Sequence, residues 1–272
     1  MRPSRFISLV AALFFAGAAA MAAPQRVVSL NLCTDQLALL LAPDRLVSVT
    51  PLARDPRSSA MAEAAAEVPV TDGSAEAVVL LDPDLVLAGS YTTRATVEML
   101  QRLGLGVEIF APVNTLEEAR ANILRMGALL EREARARQIV EAFDARLAEL
   151  RRGEGPSPRV ALYYALGNTA GRDTLPGDIL AAAGMENIAA ERGLPFGGAL
   201  PLEELVLADP DLVLIGRPYG GHARATELLQ HPVLRESGKL RVVEGGADWT
   251  CETPALLDAV AAMRALRLEW AE

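Results

Sequence analysis

Two kinds of side chain with something to bind fall in the polar, turn-rich stretches of this chain: aromatic rings and arginines. Tyr91, Tyr164, Phe196, Tyr219 and Trp249 all lie in such stretches, although only 4% of the chain is aromatic. Flat rings stack on a macrocycle or a catecholate, and the amphipathic ones keep a wet edge while doing so. Arg54, Arg57, Arg94, Arg172 and Arg217 lie in or beside the same stretches. A guanidinium fork suits carboxylates or an anionic chelate through paired hydrogen bonds. Taken singly, each arginine reads more simply as a solvated loop charge.

Other chemistries are poorly provided for. A site for bare zinc or manganese needs several histidines and carboxylates converging, and the chain has two histidines. His231 precedes Pro232 in a turn and reads as structural. His222 sits in a loop where an axial or hydrogen-bonding contact to a ligand is open to it. There is no Gly-x-Ser-x-Gly elbow, no phosphate-binding Gly-x-x-x-x-Gly-Lys and no His-Glu-x-x-His. Gly104-Leu105-Gly106 lacks the third glycine of a dinucleotide fingerprint. No catalytic residue, resident cofactor or metal site is expected, and an exported α/β enzyme stands as the contrary reading. The formal net charge of −9 argues against nucleic acid or anionic lipid as partners.

The elements that position these residues are organised by a repeat. Residues Val78 to Gly89 and Leu205 to Gly216 are identical at nine of twelve positions, 127 residues apart. In each copy a short apolar helical run stops at Asp-Pro, because proline disfavours helix in the residue before it. A Leu/Val run follows and reads as a buried parallel strand, and then a glycine marks the turn. Arg-Ala-Thr opens a further helical pattern after both copies (Arg94, Arg224). The spacing is too long for a solenoid and fits two similar lobes. In the first lobe, strands are expected at 26–30, 46–49, 68–70, 85–88 and 107–109, with helices at 36–42, 60–67 and 96–103. In the second, strands are expected at 160–164, 212–215 and 241–243. Thr253-Pro254 is expected to start the final helix.

Between the lobes, Thr115-Leu116-Glu117-Glu118 is a capping-box signature and starts a helix reaching about Leu130. Ile139, Val140, Phe143, Leu147 and Leu150 then recur at helical spacing. Gly153 to Pro158 breaks the chain sharply. The expected division is residues 1–22 as a leader, 23–130 as an N-terminal lobe, 131–153 as a linker helix and 154–272 as a C-terminal lobe. Arg2 and Arg5, an apolar run to Ala20 and Ala20-Met21-Ala22 describe a secretory signal peptide, too short to span a bilayer. Ligands of open α/β sheets sit outside the carboxyl ends of the strands. In two facing lobes, those ends would line a cleft holding the rings and arginines named above.

The chain resembles the periplasmic binding proteins for iron–siderophore complexes and vitamin B12. The resemblance rests on Arg26-Val-Val-Ser-Leu30, Leu-Asp-Pro-Asp-Leu-Val-Leu in each lobe, the long mid-chain helix and the leader, and covers about residues 26–270. It implies two α/β lobes with parallel sheets joined by one long linker helix, a ligand cleft between them, and delivery of a metal chelate to an ABC importer from the periplasm. The expected cargo is an iron(III)–siderophore, with cobalamin or a related corrinoid as the alternative. Of the residues singled out, Arg54, Tyr91, Arg94, Tyr164, Phe196, Arg217, Tyr219 and Trp249 are the expected ligand contacts. The resemblance also implies that a surface glutamate on each lobe, seven positions before the proline of Pro-Asp, docks arginines of the membrane permease. Those positions are Glu76 and Glu203; as residues alone they read as acids favoured in a helix first turn.

Cys33 and Cys251 leave three outcomes open. A bridge between two cleft loops would fix the separation of the lobe mouths. If the final helix starts beside lobe one, the same bridge would be a harmless staple. Otherwise the protein carries two free thiols near the ligand.

Overall fold

The computed structural model describes residues 23–151, 155–217, 223–243 and 245–272; the expected leader, residues 1–22, lies outside them. The first lobe contains β1 (Val27–Ser29), α1 (Leu32–Leu41), β2 (Leu46–Ser48), α2 (Ala62–Ala65), α3 (Ala75–Leu80), β3 (Leu85–Gly89), α4 (Arg94–Arg102) and β4 (Val107–Phe110). Its strands form a parallel sheet of order β2-β1-β3-β4. Then come α5 (Leu116–Leu129) and α6 (Glu133–Leu150). The second lobe contains β5 (Arg159–Leu162), β6 (Asn168–Thr169), α7 (Leu175–Ala182), β7 (Glu186–Asn187), β8 (Gly198–Ala199), α8 (Leu202–Ala208), β9 (Leu212–Gly216), α9 (Pro232–Glu236), β10 (Leu240–Val243) and α10 (Leu256–Trp270). Its main sheet is parallel, of order β7-β5-β9-β10, and β6 pairs antiparallel with β8. Taken by their order along the chain, the four strands of each main sheet are arranged 2-1-3-4 in both lobes.

The centre of each main sheet is covered on both faces, which is why β3 and β9 are apolar throughout rather than alternating, whereas the outer β4 and β10 carry Glu108 and Arg241. In β1 and β3, Val27, Leu85 and Leu87 face a core shared with α1, α5 and α6, whereas Val28 and Val86 face Val78 and Leu100 of α3 and α4. In β5 and β9, Val160, Leu162, Leu212 and Leu214 face α6, α7 and α10; Ala161, Val213 and Ile215 face the side of α8 and α9.

The repeat makes the same clamp in both lobes. Asp82 (φ 47°) and Asp209 (φ 46°) end the helices in the left-handed region, which aspartate tolerates better than most side chains. So the break expected from Asp-Pro occurs, through a left-handed rather than an extended aspartate. The next aspartate then holds the start of the lobe's first strand. Asp84 accepts the Gln25 and Arg26 N–H groups at 2.7 and 3.0 Å, and Asp211 accepts the Arg159 N–H at 2.8 Å. The Arg26 guanidinium donates to the carbonyls of Leu81 and Asp82 at 2.6 and 2.9 Å, and that of Arg159 to Ala208 and Asp209 at 3.0 and 3.2 Å.

The lobes are joined by more than one helix. In α6, Ala136, Ile139 and Val140 belong to the first lobe's core, whereas Phe143 and Leu147 belong to the second's. The antiparallel α5 divides the opposite way, with Leu116 and Ala119 in the second core and Ile123 and Met126 in the first. Thr115 caps α5 by accepting the Glu118 N–H at 3.0 Å, and the Glu118 carboxylate accepts the Asn114 N–H at 2.6 Å. Gly127 allows the close approach of the two helices, since a Cβ there would lie 2.3 Å from that of Ala136.

Several expected elements differ. The helix expected over 60–67 is only α2. The 68–70 strand reduces to one bridge, Val49 to Val70, because Pro69 has no N–H to donate to a ladder. The Arg224 segment is a 3-10 stretch (Arg224–Gln230) where lobe one has α4. The final helix begins at Leu256, with Thr253 turning the chain before it.

The clamp predicts that Asp84→Ala and Asp211→Ala each lower stability by about 1–2 kcal/mol, since both lose charge-assisted bonds at partly exposed sites. Urea titration followed by circular dichroism measures this, and unchanged midpoints in both variants would remove the clamp from the stability of the lobes.

Candidate functional site

The carboxyl ends of the second lobe's β5, β9 and β10 open onto a cleft of about 900 Å³. The second lobe lines it at the point where its strand order reverses, between β5 and β9, with Leu162, Tyr164, Leu214, Gly216 and Arg217. Such reversal points are where open α/β sheets leave room for ligands. The turn Gly245 to Thr250, after β10, forms another wall and carries Asp248 and Trp249. The first lobe contributes Leu32, at the start of α1, and the segment Pro56, Arg57, Ser58 and Ala60.

Tyr164 and Trp249 are half-buried; each packs against the second lobe's core and also borders the cleft. Burial pushes the Tyr164 phenol up to about 12, so at neutral pH it is an O–H donor and not a phenolate. The lining is balanced in formal charge among the described residues. Arg57 and Arg217 stand against Asp248 and Asp258. Burial, with a smaller effect from Asp258, raises the Asp248 carboxyl above the usual range. Asp258 is engaged by Arg146 at 2.7 Å.

Three of the eight expected contacts therefore line the cleft: Tyr164, Arg217 and Trp249. Tyr219, like His222, lies outside the described residues. Tyr91 is 87% exposed at the end of β3, beside a separate small cavity with Asn31, Cys33 and Glu252. Arg54 does not line the cleft: its guanidinium donates to the carbonyls of Ala65 and Val68 at 3.3 and 2.6 Å, tying down the segment after α2. Arg94 begins α4 and pairs with Glu98 one turn on, at 2.6 Å. Phe196 is 75% exposed away from the cleft. Asp248 is not among the expected contacts, although it adjoins Trp249, which is. Asp258, on the first turn of α10, carried no signal. His231 caps α9, its Nδ1 accepting the Val233 N–H at 3.3 Å. No group of three metal-ligating side chains occurs among the described residues. Glu76 and Glu203 are exposed on the first turns of α3 and α8.

The seam at one end of the cleft is tied covalently. Cys33 and Cys251 form a disulfide with Cα atoms 5.0 Å apart. Asn122 of α5 donates to the Glu252 carboxylate at 3.1 Å, and burial raises that carboxyl above the usual range. Of the outcomes left open by the cysteines, the bridge forms, at the cleft's edge beside Leu32 and Thr250, and the cleft remains open next to it. Behind this edge Asp35 is fully buried and accepts the Thr50 N–H at 3.1 Å, together with its hydroxyl. Burial pushes its carboxyl up to about 6, against the lowering effect of the Thr50 and Ser29 hydroxyls.

A sequence profile described as Periplasmic binding protein matches residues 27–237. The chain belongs to the periplasmic binding protein family. This binding protein is similar to the cobalamin-binding protein of Halobacterium salinarum, with 34% identity over 146 residues, covering 52% of the chain and 40% of that relative. The chain thus spans about two-fifths of the length of the curated relatives it matches. Among solved structures it resembles the apo periplasmic heme-binding protein RhuT of Roseiflexus sp. RS-1 (TM-score 0.73, 22% identity, 91% of this chain and 99% of that one). It also resembles a periplasmic heme-binding protein of Pseudomonas aeruginosa (0.72, 25%, 92% and 94%) and the vitamin B12 binding protein BtuF of Vibrio cholerae (0.67, 18%, 91% and 98%). The family consists of extracytoplasmic substrate-binding proteins of transporters rather than enzymes. An interlobe disulfide suits an oxidising compartment.

Two measurements follow for the binding protein. Thiol titration of the denatured, unreduced protein should find no free thiol, and reduction should expose two and lower stability by about 2–5 kcal/mol; two thiols without reductant would exclude the staple. Asp35 has a folded-state pKa above its unfolded value, so its contribution is fully present below about pH 4 and is lost as pH rises through about 6. Asp35→Asn keeps an acceptor for Thr50 and is expected to remove a fall on the order of 2–3 kcal/mol between those limits. Parallel pH–stability curves for the two proteins would contradict this.

Proposed function

We propose that this periplasmic binding protein captures a corrinoid of the cobalamin class and delivers it to an ABC importer. The observation that carries the reading is the cleft lining: a neutral tyrosine and a tryptophan on adjoining walls of the second lobe, apolar strand ends between them, and two arginines balanced in formal charge by two carboxylates. Such a surface favours a large, flat chelate of little net charge, stacked on rings and held by polar edges. The likeness to a cobalamin-binding relative supports the same choice. An iron(III)–siderophore is the second reading, favoured by the presence of two cationic side chains, Arg217 and the Asp55-paired Arg57, on the cleft, since positive charge suits an anionic chelate.

A thermal-shift series with cyanocobalamin, ferric hydroxamate and catecholate siderophores, and heme separates the readings. Cyanocobalamin at a hundredfold excess over its dissociation constant should stabilise the protein by about 2.7 kcal/mol, and Trp249→Ala should weaken its binding about tenfold. A shift with a siderophore but none with cyanocobalamin would transfer the assignment to the second reading. A shift only with a bare sugar or amino acid would sink both.

Delivery requires docking on the permease, for which Glu76 and Glu203 are the proposed contacts. Glu76→Arg and Glu203→Arg should each abolish uptake by placing like charges against permease arginines, with chelate affinity of the purified variants unchanged. Lost affinity would instead put these residues in the binding site.

A further inference from the structure

The two lobes present the same surface twice, and the acid is one part of it. Aligning α3 with its counterpart sets Ala75-Glu76-Ala77-Val78-Val79-Leu80-Leu81 against Leu202-Glu203-Glu204-Leu205-Val206-Leu207-Ala208. Three positions are identical: Glu76 with Glu203, Val79 with Val206, and Leu80 with Leu207. The other four differ. The identical positions are separated by three and four residues, so they share one helix face. That face is open. Val79 and Leu80 are 43% and 85% exposed, and Val206 and Leu207 are 47% and 76% exposed.

Packing inside the lobes does not account for this pattern. The residues that each helix buries most deeply, Val78 and Leu205, are fully buried and have changed between the lobes, as cores permit when volume is redistributed. A lone exposed leucine on a surface is ordinary. The same exposed Val-Leu pair beside the same acid, kept in two lobes that elsewhere place a 3-10 stretch where the other has a helix, is not explained by chance exposure. An apolar step rimmed by charge marks a contact surface. Two equal steps on one chain fit a receiver that offers two equal sockets, which is what a twofold-symmetric partner presents.

We propose that Val79 with Leu80, and Val206 with Leu207, are the apolar halves of two equivalent docking steps for a twofold-symmetric membrane permease, each of whose copies sets a basic side chain beside an apolar socket. The inference rests on the docking role given above to Glu76 and Glu203 and adds the part of the contact that excludes water around their charge. In this arrangement the acid orients and the apolar pair holds, as in interfaces where charge steers encounter and buried apolar groups slow release.

The test uses the intact protein and needs no knowledge of the cargo. Fluorescently labelled wild-type protein is bound to spheroplasts of the source cells, and unlabelled variants compete. Leu80→Ser with Leu207→Ser should compete at least tenfold less well than the wild type, as should Glu76→Ala with Glu203→Ala. Leu80→Ser and Leu207→Ser alone should each weaken competition by a similar factor. Thermal melts of these surface variants should match the wild type, which separates lost docking from lost folding. If the glutamate pair fails to compete while the leucine pair competes fully, glutamate docking stands and the apolar steps are overturned. If both pairs compete like the wild type, or the wild type shows no saturable binding, the docking role falls together with the steps. Concentration-dependent dimerisation of the wild type, abolished by Leu80→Ser, would reassign the face to a second copy of this chain and also overturn the proposal.

Discussion

The Asp-Pro-Asp clamp is the interaction on which each lobe's geometry depends. Its left-handed aspartate turns a helix sharply enough to feed a central strand, and its second aspartate pins the neighbouring first strand at its amino end. These two strands, β1 with β3 and β5 with β9, flank the point at which strand order reverses. Fixing their starts in register fixes the place where their carboxyl ends diverge, and there the second lobe opens onto the cleft. The arginine beginning each first strand closes the clamp from the other side by taking up carbonyls that the helix end leaves unpaired. The cleft at the carboxyl ends of the strands is thus set by hydrogen bonds at their amino ends.

Lobe placement is a separate problem, solved by apolar continuity. Because α5 and α6 each bury one half in one core and the other half in the second, turning one lobe against the other would strip side chains from a packed surface. The disulfide and the Asn122–Glu252 contact add a second tie at the seam. A buried carboxyl with a raised pKa is tolerated there because the amide offers it a donor; without that donor the ionised form would carry the full penalty of desolvation.

How much of this was legible in the sequence follows from the range of each interaction. The repeat, the strands and the mid-chain helices were legible because parallel strands and amphipathic helices write their burial into local apolar patterns. Tyr164, Trp249 and Arg217 were legible because they follow strands, and the ends of strands face the cleft. Arg54 and Phe196 lie in loops of the same description, yet they point elsewhere, Arg54 because nearby carbonyls compete for its guanidinium. Arg94 does not line the cleft and pairs with Glu98, a partner one helical turn away that local spacing already offers. The helical hairpin in place of a lone linker, and the pairing of cysteines 218 residues apart, depend on tertiary packing that no local pattern records.

In the proposed role, these ties bear on how a ligand would be held. A cleft whose walls swing freely must use part of its interaction energy to order them, whereas walls already fixed by two helices and a covalent bond leave more of it as affinity. The same fixity limits adaptation: Trp249 and Tyr164 pack into the core behind them, so the rings cannot withdraw far to admit a differently shaped cargo. Selectivity then rests on the width set by the lobes and on the polar groups at the rim. In the proposed role, a lining of balanced formal charge would penalise a ligand of high charge of either sign, since each unmatched charge must leave water without a full complement of partners. In the proposed role, rigidity and charge balance would act together: the first would fix which shapes enter, and the second would discriminate among ligands of similar shape.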